Sequence, residues 1–98
     1  MKTMNYQIED AKGLHIRPAM KLADIASARD CGVMVAANGK ETSAGSMLGL
    51  LSLKVSCGQQ IRLTVTGPDE ATEQECLQEL MLFLKENIQG ETIDCQQV

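Results

Sequence analysis

The chain contains one histidine, His15, and an arginine, Arg17, follows it two residues later. A neutral imidazole nitrogen is a nucleophile near physiological pH, and a guanidinium offers several N–H donors to phosphate oxygens. Gly13 before the pair suits a tight turn, and Pro18 after it is tolerated in the first turn of a helix. The spacing therefore predicts a nucleophilic side chain at the start of a helix.

A helix start is a favourable place for a negatively charged group. Its first N–H groups have no partner within the helix, and the helix dipole places partial positive charge there. A phosphoryl group carried on His15 would meet those donors, and Arg17 could add charge-assisted hydrogen bonds. On residue types alone, an ordinary surface histidine next to a solvated Arg17 is the more common interpretation.

Length and composition exclude several other classes of protein. The 98 residues predict one domain, and a net charge of −4 gives no electrostatic reason to bind nucleic acid or an anionic membrane. No apolar run approaches the roughly 20 residues of a membrane span, and the first residues lack a signal-peptide pattern. One histidine and four irregularly spaced cysteines predict free thiols and no metal site.

Hydrophobic periodicity predicts seven elements in the order β-α-β-β-α-β-α. Alternation indicates strands at 4–9, 33–37, 40–43 and 60–66, with Asn38-Gly39 as a hairpin turn. Helical spacing indicates helices from 16 to about 29, from 47 to about 55, and from 70 to just before Gly90. Ser46 and Asp69 are candidate N-caps. The order predicts an α+β fold with helices on one face of an antiparallel sheet, and residues 91–98 are expected to form a loosely ordered tail.

The segment Gly13-Leu14-His15-Ile16-Arg17-Pro18-Ala19 resembles the active-site signature of the HPr family, the histidine-containing phosphocarriers of the bacterial phosphoenolpyruvate-dependent phosphotransferase system. Further similar segments are Asn38-Gly39-Lys40, Ser46 to Leu53, Gly58, Ile61-Arg62-Leu63 and Gly67 to Ala71. The resemblance implies an open-faced β-sandwich over residues 1–90. It has four antiparallel strands in the order 1-4-2-3, with three helices on one face.

The same resemblance implies a function. His15 would accept a phosphoryl group on Nδ1 from phosphorylated enzyme I, the phosphoenolpyruvate-dependent kinase, and pass it to an enzyme IIA, with Arg17 assisting. Such a chain is a cytoplasmic, monomeric carrier with no turnover of its own and no cofactor. The run from Arg17 to Leu22 is similar to the nitrogen-related branch of the family, rather than the sugar branch.

A set of apolar residues near His15 is the candidate docking patch for partner proteins. The resemblance favours docking over core packing for Ile16, Met20, Met47, Leu48 and Leu51. Methionine side chains are adaptable, which suits a surface that meets several partners. Ile16 stands where the family usually has a smaller residue, and this departure concerns the choice of partner rather than the chemistry.

Ser46 supports an alternative function. It matches a position that an ATP-dependent HPr kinase phosphorylates in some relatives, but it is also explained as an N-cap, and Gly45 before it lacks the usual basic character. The alternative is a regulatory interaction protein of the same fold, switched at Ser46, with a kinase or transcriptional regulator as partner. A generic small α/β binding domain would require the His15 signature to be a coincidence.

Overall fold

The computed structural model describes residues 1–97, and the side chains of residues 1–93. It contains five strands and three helices in these residues: β1 (Lys2–Ile8), α1 (Ile16–Ser27), β2 (Gly32–Ala37), β3 (Lys40–Ser43), α2 (Met47–Ser52), β4 (Gln60–Thr66), α3 (Glu70–Asn87) and β5 (Gly90–Gln97). The helices and the first four strands follow the predicted order. β3 and β4 have the predicted limits, and the other elements differ from the prediction by a few residues at their ends.

All five strands form one antiparallel sheet in the order β3-β2-β4-β1-β5. The relative order of the first four is therefore the expected 1-4-2-3. Pairs such as Tyr6 with Ile61 and Val35 with Leu63 place apolar residues beside each other across neighbouring strands. This register turns alternate residues of every central strand to the same face.

The expectation of four strands and a loose C-terminal tail is wrong for residues 91–97. These residues belong to β5, which pairs with β1 along its otherwise free edge, with an irregularity in register between Asn5 and Tyr6. Backbone hydrogen bonds hold an edge strand, so its side chains need not alternate, and the segment carried no hydrophobic period to reveal it. Val98 lies outside the described residues.

The core lies between the sheet and the three helices. Met4, Tyr6 and Ile8 from β1 are fully buried and belong to one hydrophobic cluster with the inward residues of β2 and β4 and the apolar sides of the helices. Asn5, on the opposite face of β1, is only half-buried. The sheet thus has one covered face and one open face, as the α+β prediction requires.

Local chemistry explains where the helices begin. The Ser46 Oγ accepts the Gly49 N–H at 3.0 Å, and the Asp69 carboxylate accepts the Thr72 N–H at 2.7 Å. Both predicted N-caps are confirmed. The hairpin is confirmed as well, because Asn38 and Gly39 both have positive φ, at 52° and 78°.

Candidate functional site

His15 is the N-cap residue of α1. Its backbone is extended, with φ −106° and ψ −178°, and its carbonyl accepts the Ala19 N–H at 3.0 Å as the first helical hydrogen bond. Its side chain caps no amide of the helix and is half-buried. The imidazole is therefore held at the start of the helix by the backbone alone, and the ring is available for other chemistry.

The turn before His15 rests on the segment that follows α2. The Leu14 N–H donates to the Val55 carbonyl at 3.1 Å, and Gly13 has a positive φ of 63°. A Cβ atom at Gly13 would lie 2.2 Å from that same carbonyl oxygen. Only glycine fits this approach, so the family-like Gly13 is explained by close backbone packing as well as by turn geometry.

The first turn of α1 leaves hydrogen-bond donors free. Among the residues that the structure describes, the amides of Ile16 and Arg17 have no protein acceptor, and Pro18 has no amide hydrogen. The first turn contains no acidic side chain to compete for these donors. The Arg17 side chain is exposed on the same turn. Two free amides and one exposed guanidinium thus belong to the two residues that follow His15, and such donors suit a phosphoryl group.

The candidate docking patch divides into exposed and half-buried residues. Ile16, Met20 and Leu48 are strongly exposed, with 62%, 48% and 76% of their surface open to solvent. Met47 and Leu51 are half-buried and pack against the core. The two helices that carry these residues, α1 and α2, contact each other. They carry three exposed apolar side chains, and the two half-buried ones pack against the core.

Ser46 is exposed, and its hydroxyl oxygen is the N-cap acceptor of α2. This contact explains the serine without a regulatory role. The structure brings Ser46 to the start of the helix that carries Met47 and Leu48. A change of charge at Ser46 would therefore alter the border of the docking patch.

Asn38 supports the site in a way that the sequence did not suggest. The Asn-Gly pair predicted only a hairpin turn, but the Asn38 side chain donates to the Leu53 carbonyl at 2.8 Å and the Lys54 carbonyl at 3.2 Å. These acceptors directly precede Val55, on which the His15 turn rests. No local pattern could reveal a contact between residues 15 positions apart.

The described residues contain no group of three or more histidine, cysteine, aspartate or glutamate side chains arranged to hold a metal ion. None of the helices within them has the length and apolar character needed to cross a membrane.

Known proteins resemble this chain in sequence and in structure. A family model for the PTS HPr component phosphorylation site matches residues 2–85. The HPr-like protein Crh of Bacillus subtilis is 36% identical over 76 residues, covering 78% of this chain and 86% of that protein. The phosphocarrier protein HPr of Treponema pallidum is 28% identical over 80 residues, covering 82% and 91%.

A solved histidine-containing phosphocarrier from Mycoplasma superposes with a TM-score of 0.74 and is 27% identical, covering 90% of this chain and 99% of that one. An HPr structure from Thermoanaerobacter tengcongensis gives a TM-score of 0.69 at 34% identity, covering 82% and 90%. Those matches extend over most of both chains and include the His15 turn within the matched family region. The chain belongs to the HPr family of the phosphotransferase system.

Proposed function

We propose that this chain is a phosphocarrier that accepts a phosphoryl group on His15 from phosphorylated enzyme I and passes it to an enzyme IIA. The observation that carries the proposal is the position of His15 as an N-cap whose side chain caps nothing. The free amides of Ile16 and Arg17 and the exposed Arg17 side chain belong to the two residues that follow His15. A phosphoryl group on the ring would have these donors in its surroundings.

The transfer needs only one nucleophile. A neutral imidazole nitrogen, Nδ1 by analogy with the family, attacks the phosphorus of the donor's phosphohistidine, and the bond from phosphorus to the donor nitrogen breaks. The amides of Ile16 and Arg17 and the Arg17 guanidinium stabilise the oxygens as the group arrives. The second transfer runs the same chemistry towards the acceptor, so one phosphoryl group moves without net hydrolysis.

Exposure of the site supports a carrier role. Ile16, which directly follows His15, and Leu48 on the neighbouring helix are both exposed, and an apolar partner surface can cover them on docking. Docking would also exclude water from the phosphoryl group during transfer. We assign Ile16, Met20, Met47, Leu48 and Leu51 to this contact with enzyme I and enzyme IIA.

A labelling experiment tests the proposal. The purified chain is incubated with enzyme I and phosphoenolpyruvate, and the product is analysed by intact mass and by stability to acid and alkali. We expect one phosphoryl group that is labile in acid and stable in alkali, and none on a His15→Ala variant. Equal labelling of that variant would remove His15 from the mechanism.

The second candidate function is regulation through Ser46. It is favoured by the 36% identity to the HPr-like protein Crh and by the exposure of Ser46 beside the docking patch. The test is incubation with ATP and a bacterial lysate that contains an HPr kinase, compared with a Ser46→Asn variant. Asparagine keeps an N-cap acceptor but cannot be phosphorylated there. A phosphate on Ser46 with no label at His15 under enzyme I would make regulation the main function.

The remaining assignments follow the family. We propose a cytoplasmic monomer without a nucleic-acid partner, cofactor or membrane insertion. Its carrier domain extends beyond the expected limit at residue 90, because β5 pairs with β1 in the same sheet. The nitrogen-related branch stays a prediction from residues 17–22.

A further inference from the structure

Asn38 joins the β2–β3 hairpin to the segment after α2. Its Nδ2 donates to the carbonyls of Leu53 and Lys54 at 2.8 and 3.2 Å, and lies 3.1 Å from the Oε1 of Gln59. All three partners are acceptors, so the amide nitrogen must be the atom that faces them. The exposed Asn38 side chain thus donates to three acceptor oxygens in the segment between α2 and β4.

Gln59 makes hydrogen bonds within the same loop, residues 53–59, and to β1. Its Oε1 accepts the Ser56 N–H at 2.8 Å in addition to the Asn38 contact. Its backbone carbonyl accepts the Ile8 N–H at 2.9 Å, which ties the loop to the end of β1. Residues 53–59 are therefore fixed at one end by Asn38 and at the other by β1.

The loop includes a backbone conformation that needs support. Lys54 has a φ of 53°, in the left-handed region that is unfavourable for a residue with a Cβ atom. The Asn38 amide donates to the Lys54 carbonyl and to the carbonyl just before it. These hydrogen bonds stabilise the turn that directs the next carbonyl, that of Val55, towards the site.

The Val55 carbonyl is the contact between this loop and the His15 turn. It accepts the Leu14 N–H at 3.1 Å and lies against the Gly13 backbone so closely that a Cβ atom would clash. Leu14 is covalently joined to His15. The position of the Val55 carbonyl therefore sets where the imidazole enters α1.

We propose that Asn38 is a positioning residue for phosphoryl transfer at His15, acting through the carbonyl of Val55. The inference rests on the proposed function, because it names a residue that orients the same imidazole. Asn38 does not touch the phosphoryl group. It fixes residues 53–55, and these fix the turn that presents the ring to the donor.

The variant Asn38→Asp tests the donor role. Aspartate has nearly the same shape and also tolerates a positive φ, but its carboxylate has no hydrogen to donate and would face three acceptor oxygens. We expect the Leu14 amide signal to shift in a ¹H–¹⁵N spectrum. We expect kcat for phosphorylation by enzyme I to fall roughly 10-fold, with KM within about twofold, because a misplaced nucleophile loses rate more than affinity.

Three further variants separate positioning from charge. Gln59→Glu adds the same negative charge beside Asn38, but keeps an acceptor oxygen for both Asn38 and Ser56, so we expect kcat near that of the wild type. Gln59→Met removes the acceptor, and we expect it to slow the reaction. Asn5→Asp makes the same chemical change on the open face of the sheet and should leave kcat unchanged.

The results distinguish the two proposals. If the wild type accepts no phosphoryl group from enzyme I, the proposed function fails and the role of Asn38 fails with it. If the wild type is phosphorylated and Asn38→Asp reacts at the same rate, only the positioning role is overturned. Equal slowing by Asn38→Asp and Gln59→Glu would assign the effect to charge and also overturn it. Should Asn38→Asp unfold, Gln59→Met against Gln59→Glu decides the question.

Discussion

At the residue scale, Arg17 is the charged side chain that we propose assists His15. It is exposed on the first turn of α1, and a guanidinium hydrogen bond to a charged oxygen contributes about 1.5–3 kcal/mol. We expect Arg17→Ala to lower the rate of phosphorylation by roughly 10- to 100-fold without unfolding the chain. Single-turnover kinetics with phosphorylated enzyme I measures this.

Lys21→Ala is the matched control for Arg17, because it removes one exposed positive charge from the same helix, one turn further on. Its rate should stay within about threefold of the wild type, since it lies beyond the first turn. Equal loss in both variants would mean that Arg17 acts through general charge attraction and not through contact with the phosphoryl group.

At the residue scale, the thiols of Cys57 and Cys76 also differ in exposure and therefore in reactivity. Cys57 is exposed, whereas Cys76 is fully buried, and burial next to Cys31 raises the pKa of Cys76 to about 11. At pH 8 only about one in a thousand Cys76 thiols would be ionised, and the thiolate is the reactive form. Alkylation followed by peptide mass analysis should modify Cys57 first and Cys76 only after unfolding. Rapid modification of Cys76 in the native chain would contradict its burial.

At the element scale, α2 carries part of the proposed docking patch, and Leu48 is its most exposed apolar residue, 76% open to solvent. A substitution at such a position changes stability by only about 0.5 kcal/mol. We expect Leu48→Asp to raise the KM for enzyme I by about 10-fold or more, because a charge would enter an apolar contact. The unfolding midpoint should change little.

Leu82→Asp is the control, because Leu82 is also an exposed leucine, 59% open, but lies on α3. It makes the same chemical change outside the docking patch and should leave KM unchanged. If both variants raise KM equally, the contact surface is not confined to α1 and α2.

The elements also show why prediction from the sequence succeeded in part. Ile61, Leu63 and Val65 alternate with polar residues because β4 has one buried and one open face, so its limits were predicted without error. β5 had no such alternation, since backbone pairing with β1 defines it. The His15 turn was predictable because its residues are contiguous, whereas the Asn38 contact joins distant segments and has no local signature.

At the scale of the whole molecule, the free energy of unfolding should fall at acid pH. The Glu73 carboxylate accepts the Gly67 N–H at 2.8 Å, and this bond holds its pKa below the ordinary value of 4.5. The hydrogen bond to Arg29 lowers the pKa of Glu79 in the same way. A carboxylate with a lowered pKa in the folded state stabilises the chain above the pKa of the unfolded state. That contribution is lost as the pH falls through the folded value.

We therefore expect the free energy of unfolding to be constant above about pH 6 and to fall between about pH 5 and pH 3. In Glu73→Gln, the amide oxygen can still accept the Gly67 N–H but has no proton to gain, so the fall should be shallower. Urea unfolding at a series of pH values provides the measurement. Parallel curves for the two proteins would show that Glu73 does not contribute to the acid dependence.

The central claim is that a phosphoryl group on His15 binds to the open first turn of α1. A ¹H–¹⁵N spectrum of the chain, recorded before and after phosphorylation by enzyme I and phosphoenolpyruvate, tests it most directly. We predict the largest amide shifts at Ile16 and Arg17, whose N–H groups would donate to the phosphoryl oxygens. Shifts centred on Ser46, with the amides of Ile16 and Arg17 unchanged, would contradict the account.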